Sequence, residues 1–145
     1  MTRPSDLERF VAAQAGVIDG ALGELRRGRK TGHWIWFVFP QLSGLGRSEL
    51  SRYYAITSLE EARAYLDHPV LGPRLRDAAA AMLEAGGRTA EAILGPVDAQ
   101  KLRSSMTLFH RADPEEARFR EVLERFYGGV ADPLTDDLLR TGADR

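Results

Sequence analysis

Two short stretches of this chain concentrate side chains that bind anions. The first carries Lys30 together with both tryptophans of the chain, Trp34 and Trp36, and the second carries Lys101. These are the only two lysines in the sequence, which has eighteen arginines. A compact ammonium suits a tight pocket or a point contact to phosphate, where the planar guanidinium does not fit. We therefore expect the ammonium groups of Lys30 and Lys101 to line one cavity.

Groups that can orient a small anionic ligand, either nucleotide-like or otherwise phosphorylated, accompany the two lysines. An indole can stack on a base or a sugar ring, and serine and glutamine side chains can form hydrogen bonds. Histidine is a common acid or base in catalysis, and His33 follows a cluster of basic residues, so it is the candidate catalytic acid or base. The candidate ligand-binding residues are Lys30, Trp34, Trp36, Gln41, Ser48, Lys101, Ser104 and Ser105.

Each candidate also has a structural interpretation, and the sequence leaves both open. The tryptophans can fill core volume, and His33 is then buried and satisfied by a backbone carbonyl. Lys101 lies on the inward-facing arc of a predicted helix, where it either pairs with Asp98 three residues earlier or extends its ammonium to water. Ser104 and Ser105 are then ordinary helix serines, since a lysine ahead of the serine reverses the order of a lysine-activated serine motif.

Composition excludes several kinds of chemistry. The 145 residues contain no cysteine, which excludes disulfides, thiolate catalysis and sulfur-ligated zinc. The three histidines show no metal-binding spacing, so we expect no metal and no cofactor. A net charge of −1 gives no reason to expect nucleic acid binding. No apolar run approaches the roughly 18 residues of a membrane span, and no secretory signal is recognised, so we predict a cytoplasmic protein without a membrane partner.

Helix start and stop signals are frequent along the chain. Capping-box pairs at Ser5 with Glu8 and at Ser58 with Glu61 predict two helix starts. A cap, a proline and two acids in succession from Asp113 predict a third. The helix after Asp113 is expected to stop at a pair of glycines.

Hydrophobic spacing completes the assignment. Alternation of period two is nowhere sustained, so we predict an all-α fold, a single multihelical domain over residues 1–145 with about eight short helices. Only the apolar block 34–39 fits either period, and we assign it to a buried helix because no partner strands are present. Ser48 ends a glycine-containing loop and can cap the helix that follows. The remaining predicted helices cover residues 6–14, 17–27, 49–55, 59–67, 70–85, 90–94, 99–111 and 136–140.

An ordered string of motifs runs through most of the chain. It includes Gly28-Arg29-Lys30, His33-Trp34-x-Trp36, Phe39-Pro40-Gln41, Gly44-Leu45-Gly46-x-Ser48, Tyr65-Leu66-x-His68-Pro69 and Lys101-Leu102-x-Ser104-Ser105-Met106-Thr107-Leu108-Phe109. On these motifs the sequence resembles the domain-of-unknown-function family 1810 from about Leu7 to Leu139. The resemblance implies a small, mainly α-helical protein of bacteria and fungi with no assigned activity. Some members carry a calpastatin label, but a calpain inhibitor is expected to be disordered and repetitive, whereas this chain is patterned to fold compactly.

Two functions of different classes are consistent with these residues. The first is a helical protein, with or without catalytic activity, whose pocket binds a small anionic molecule. The second is a noncatalytic helical adaptor, in which the same polar residues fix helix register and the surface carries a sizeable apolar patch. The two hypotheses differ in whether the polar groups of the two stretches open into one concave pocket.

Overall fold

A computed structural model describes residues 6–142 of the chain, and this part of it is helical. Leu42 and Ile56 form an isolated parallel bridge, and no strand occurs within residues 6–142. None of the helices in that range has the length and hydropathy needed to cross a membrane. The helices are α1 (Glu8–Gln14), α2 (Ile18–Arg26), α3 (Ile35–Val38), α4 (Glu49–Tyr53), α5 (Leu59–Asp67), α6 (Leu71–Leu83), α7 (Ala90–Leu94), α8 (Pro96–Ala112), α9 (Ala117–Tyr127) and α10 (Pro133–Gly142).

The predicted all-α class is confirmed, but the number of helices is ten between residues 6 and 142 instead of about eight. Two of the ten, α3 and α4, are short turns of four and five residues. The apolar block 34–39 is helical, as expected, but only over one turn. That turn ends at Phe39, whose backbone leaves the helical region at φ −124 and ψ 74.

Helix α8 lies at the centre of the fold and packs against α5, α7, α9 and α10. More than half of its 17 residues are buried, and these include three hydroxyl-bearing side chains, Ser104, Ser105 and Thr107. The helix begins at Pro96, three residues earlier than predicted, because Gly95 takes a φ of 88° at the N-cap and proline suits the first helical position. Asp98 therefore lies in the first turn of α8 and is not its cap.

The predicted helix starts are confirmed to different extents. The Ser58 hydroxyl accepts a hydrogen bond from the Glu61 N–H at 3.0 Å, but the Glu61 carboxylate returns to the Thr57 N–H, so the capping box closes one residue early. The start predicted at Asp113 is wrong by several residues, because 113–116 forms a turn and Glu116 caps α9 instead. The pair at Ser5 lies outside the described residues.

A buried carboxylate holds the start of α10 against α8. Asp132 is 2% exposed, and its carboxylate accepts hydrogen bonds from Gln100, Ser104 and both the N–H and hydroxyl of Thr135. The Asp132 N–H donates to the Thr107 hydroxyl at 2.8 Å. These bonds extend α10 to Pro133, three residues before the start predicted from the sequence.

Two glycines provide a matched test of the close packing between α5 and α6. A Cβ at Gly72, in the first turn of α6, would lie 2.1 Å from the Leu66 carbonyl oxygen of α5, whereas one at Gly20 in α2 would meet nothing within 4 Å. Gly72→Ala is expected to lower the free energy of unfolding by about 2 kcal/mol or more, because the backbones of α5 and α6 must separate. Gly20→Ala is expected to raise it by about 0.5–1 kcal/mol, because alanine lowers the entropy of the unfolded chain.

Guanidinium chloride denaturation followed by circular dichroism measures both changes. A Gly72→Ala variant as stable as Gly20→Ala would contradict the close contact between α5 and α6.

Candidate functional site

The two lysines meet on one carboxylate. Lys30 Nζ lies 2.9 Å from Asp98 Oδ2, and Lys101 Nζ lies 3.4 Å from Asp98 Oδ1. The three side chains are 9%, 18% and 17% exposed for Lys30, Lys101 and Asp98. The two ammonium groups therefore converge on one carboxylate, while the expectation that they line one cavity stays a prediction. These three residues are called the lysine cluster below.

Local structure brings Lys30 to α8. Helix α2 ends near Gly28, whose φ of 78° turns the chain back across the fold. The Lys30 N–H then donates to the Ile93 carbonyl of α7 at 2.8 Å, which fixes the loop beside the helix that precedes α8. Lys101 and Asp98 are three residues apart on α8 and so share one side of it.

The side chain of Lys30 lies over the face of the Trp34 ring. Lys30 Nζ donates to the Gly32 carbonyl at 2.6 Å and lies 5.1 Å from the centroid of the Trp34 ring. Trp34 itself is 2% exposed, and its ring system packs beside Phe39. Trp34 therefore contacts other protein groups and almost no solvent, and it orients Lys30 through a cation–π contact.

Glu24 anchors the loop that carries Lys30. Its Oε1 accepts hydrogen bonds from the Thr31 N–H, the Gly32 N–H and the Trp34 indole N–H at 2.8, 2.9 and 3.0 Å. Desolvation alone would raise the pKa of the Glu24 carboxyl, but these hydrogen bonds outweigh it and lower the pKa to about 2. The Glu24 carboxylate is therefore charged at neutral pH and is committed to the loop.

The lysine cluster contains more positive than negative charge. Across residues 6–142, each of the two ammonium groups pairs with Asp98 and with no other carboxylate, so two positive charges share one negative charge. Asp98 is favourably placed in the first turn of α8, where the helix dipole stabilises an anion. Lys101 is the sixth residue of α8, one turn after Asp98, and its ammonium pairs with the Asp98 carboxylate.

The structure places the other candidates elsewhere. His33 is exposed, so the alternative of a buried histidine is wrong. Ser48 is exposed and caps α4 by accepting a hydrogen bond from the Ser51 N–H at 3.1 Å. The Gln41 carbonyl accepts from the Ile56 N–H beside the parallel bridge, and Trp36 packs half-buried against the core. Over residues 6–142, no hydrogen bond or ion pair joins these four side chains to the lysine cluster.

The two serines of α8 differ from one another. Ser104 donates to Asp132 and to the Gln100 carbonyl, and so belongs to the attachment of α10. Ser105 is completely buried one turn after Lys101, and its hydroxyl has no hydrogen-bond partner among the described residues. Ser105 therefore lies on the lysine-bearing side of α8 but beneath the surface.

No pattern in the sequence assigns a functional role to Asp98 or Glu24, the two carboxylates that organise this region. Asp98 was recognisable from its spacing of three residues before Lys101, although only as a structural ion-pair partner. No residue close to Glu24 in the sequence indicates its role. Its hydrogen-bond partners lie up to ten residues later and reach it only when the loop folds back.

A cavity of about 830 Å³ lies in another part of the molecule, between the loop after α3, the start of α5 and the second half of α10. None of the eight predicted ligand-binding residues lines it. The lining residues are Leu42, Ser43, Gly44, Thr57, Ser58, Leu59, Glu60, Leu138, Leu139, Thr141 and Gly142. Within residues 6–142, no three histidine, aspartate or glutamate side chains gather in a way that could hold a metal ion.

Comparison with known proteins identifies the family. The family described as "Protein of unknown function (DUF1810)" matches residues 4–139, and this chain belongs to it. The crystal structure of the conserved hypothetical protein Rv1873 from Mycobacterium tuberculosis is similar, with a TM-score of 0.92 and 53% sequence identity over 94% of this chain and 98% of that one. No curated protein matches the chain. The resemblance found in the sequence is thus confirmed.

The lowered pKa of Glu24 predicts a specific pH dependence of stability. The carboxylate stabilises the folded state fully above its ordinary pKa of 4.5, and this contribution is lost as the pH falls from there towards 2. Wild-type protein is therefore expected to be more stable than Glu24→Gln above pH 5, and the difference is expected to shrink as the pH is lowered to 2. Chemical denaturation at several pH values measures it.

Glu121→Gln, which changes an exposed carboxylate on α9, is the control and should follow the wild-type curve at every pH. A difference between wild type and Glu24→Gln that is constant from pH 7 to pH 2 would contradict the role of the charged carboxylate.

Proposed function

We propose that this protein binds a small phosphorylated anion at the lysine cluster. The observation that carries the proposal is that two partly buried ammonium groups share a single carboxylate. The three side chains of the cluster together carry one net positive charge, while the charged Glu24 carboxylate is already engaged by the N–H groups of Thr31, Gly32 and Trp34. Partial burial strengthens the attraction of this positive charge for an anion, because the surrounding dielectric is lower than that of water.

The hydrogen-bonding capacity of the cluster supports the same conclusion. Each ammonium has three N–H donors. Among the described residues Lys30 donates to the Gly32 carbonyl and uses a second N–H in its ion pair with Asp98, and Lys101 donates to Asp98. Three donors in total remain for the oxygens of a phosphoryl group, and they approach from two different elements of the fold.

The first turn of α8 adds to this attraction. In that turn Pro96 has no N–H and the Ala99 N–H donates to the Gly95 carbonyl, so the N–H groups of Val97 and Asp98 are the ones that favour negative charge nearby. The contacts of Lys30 with Gly32 and Trp34 hold one ammonium in place before any ligand arrives, which lowers the entropy cost of binding.

The proposal assigns unequal roles to the predicted residues. Lys30 and Lys101 contact the anion, and Trp34 positions Lys30 from beneath. The remaining candidates are not needed for it, because Trp36, Gln41 and Ser48 lie in other contacts and His33 is an exposed loop residue.

The scarcity of lysine provides a direct test. Protein labelled with ¹³C and ¹⁵N only in lysine has two side-chain sets of NMR signals, and Lys101→Met assigns them. Titration with inorganic phosphate, AMP or glucose 6-phosphate is expected to shift both sets together with one saturation curve. Adenosine and glucose, which lack the phosphate, are expected to shift neither.

A thermal-shift assay with the same compounds measures the stabilisation that binding produces. A phosphorylated compound is expected to stabilise the wild-type protein. Lys101→Met is expected to weaken the apparent affinity for that compound about tenfold or more. Arg120→Met, which removes an exposed cation from α9, is the control for net charge and should leave the affinity unchanged.

Lysine signals that none of the phosphorylated compounds moves at millimolar concentration would contradict the proposal. The noncatalytic adaptor hypothesis would then be favoured, and the exposed apolar side chains Val97, Val130 and Leu134 would be the surface to examine first.

A further inference from the structure

We propose that the Asp98 carboxylate is an internal competitor that occupies the place of the ligand's anionic group. This inference rests on the proposed function, since it concerns the regulation of that same site. The geometry that points to it is the bridging arrangement: one carboxylate oxygen faces Lys30 and the other faces Lys101. Two oxygens of a phosphoryl group would take the same two positions.

Two other carboxylates in the fold show what a structural anchor looks like here. Glu24 accepts hydrogen bonds from two backbone N–H groups and one indole, and buried Asp132 accepts from a backbone N–H and three side chains. Asp98 differs from both. Over the described residues its carboxylate accepts only from the two lysine ammonium groups. Rotating it into solvent would therefore leave no backbone group unpaired.

The Lys30 ammonium does not depend on Asp98 alone for its position. Lys30 is held by the Gly32 carbonyl, by the face of Trp34 and, through its backbone, by Ile93. The backbone of Lys101 is fixed on α8, which is packed on several sides. A ligand that displaces the Asp98 side chain would therefore find the Lys30 ammonium in place and Lys101 on the adjacent turn of α8.

The Asp98 side chain already contacts solvent while it is paired with the lysines. It lies in the first turn of α8 and is 17% exposed. A rotation about its side-chain bonds exchanges two ion pairs for hydration, and the incoming anion restores both ion pairs. Competition from the Asp98 carboxylate therefore lowers the affinity for weakly binding anions and favours a doubly charged phosphate monoester over a singly charged anion.

The sign of one substitution separates a competitor from an organiser. Asp98→Asn keeps the size of the side chain and removes its charge, so a competitor predicts tighter binding. The affinity for inorganic phosphate and AMP is expected to rise about tenfold or more over wild type at constant ionic strength. Asp77→Asn removes the same charge from an exposed position on α6 and is expected to change the affinity less than twofold.

Isothermal titration calorimetry with inorganic phosphate and AMP measures these affinities, and circular dichroism checks that each variant is folded. Asp98→Asn that binds more weakly than wild type, or equally well, overturns the inference while the proposed function stands. Folded wild type and Asp98→Asn that both fail to bind overturn the proposed function itself.

Wild-type protein gives a second measurement that does not depend on the stability of a variant. During titration with phosphate, the ¹³C signal of the Asp98 carboxyl is expected to shift with the same saturation curve as the two lysines. Lysine signals that move while the Asp98 carboxyl signal stays constant would overturn the competitor role.

Discussion

The burial of α8 is the constraint on which the rest of this fold depends. A helix surrounded on several sides favours partners for the polar side chains that it carries inward, because an unpaired buried group costs about 1–3 kcal/mol, and the Ser105 hydroxyl is an exception on α8. One side of α8 meets this requirement with Gln100, Ser104 and Thr107, which bind Asp132 and thereby attach α10. Another side carries Asp98 and Lys101, which meet the loop after α2. The polar residues of one helix thus decide where two other elements attach.

Three carboxylates near this helix have different functions because their donors differ. Backbone N–H groups cannot leave without local unfolding, so Glu24 and Asp132 are permanent anchors. Among the described residues the Asp98 carboxylate contacts only lysine ammonium groups that keep spare donors, so we propose it as the exchangeable member. A pair of cations that share an exchangeable anion can receive another anion, which is why we propose that the ligand binds here and not in the cavity beside α10.

Much of the fold was predictable because helix ends are encoded locally. Ser48 and Ser58 cap the helices expected of them, and Gly128 ends α9 in the left-handed conformation. Errors arose where tertiary contacts overrode local signals. Asp113 has the type of a cap, yet Glu116 caps α9, and α10 begins early because α8 supplies partners for Asp132.

The helical class, the family and the interest of two isolated lysines could be read from the residues alone, since these depend on residue type, spacing and rarity along the chain. Folding in three dimensions was needed to show that Lys30 and Lys101 share Asp98, that Glu24 holds the loop and that His33 and Ser48 are exposed. The two kinds of information differ in the range of the interactions behind them. Capping and hydrophobic periodicity act over a few residues, whereas an ion pair between residues 30 and 98 forms only after the packing of α7 and α8 has brought distant segments together.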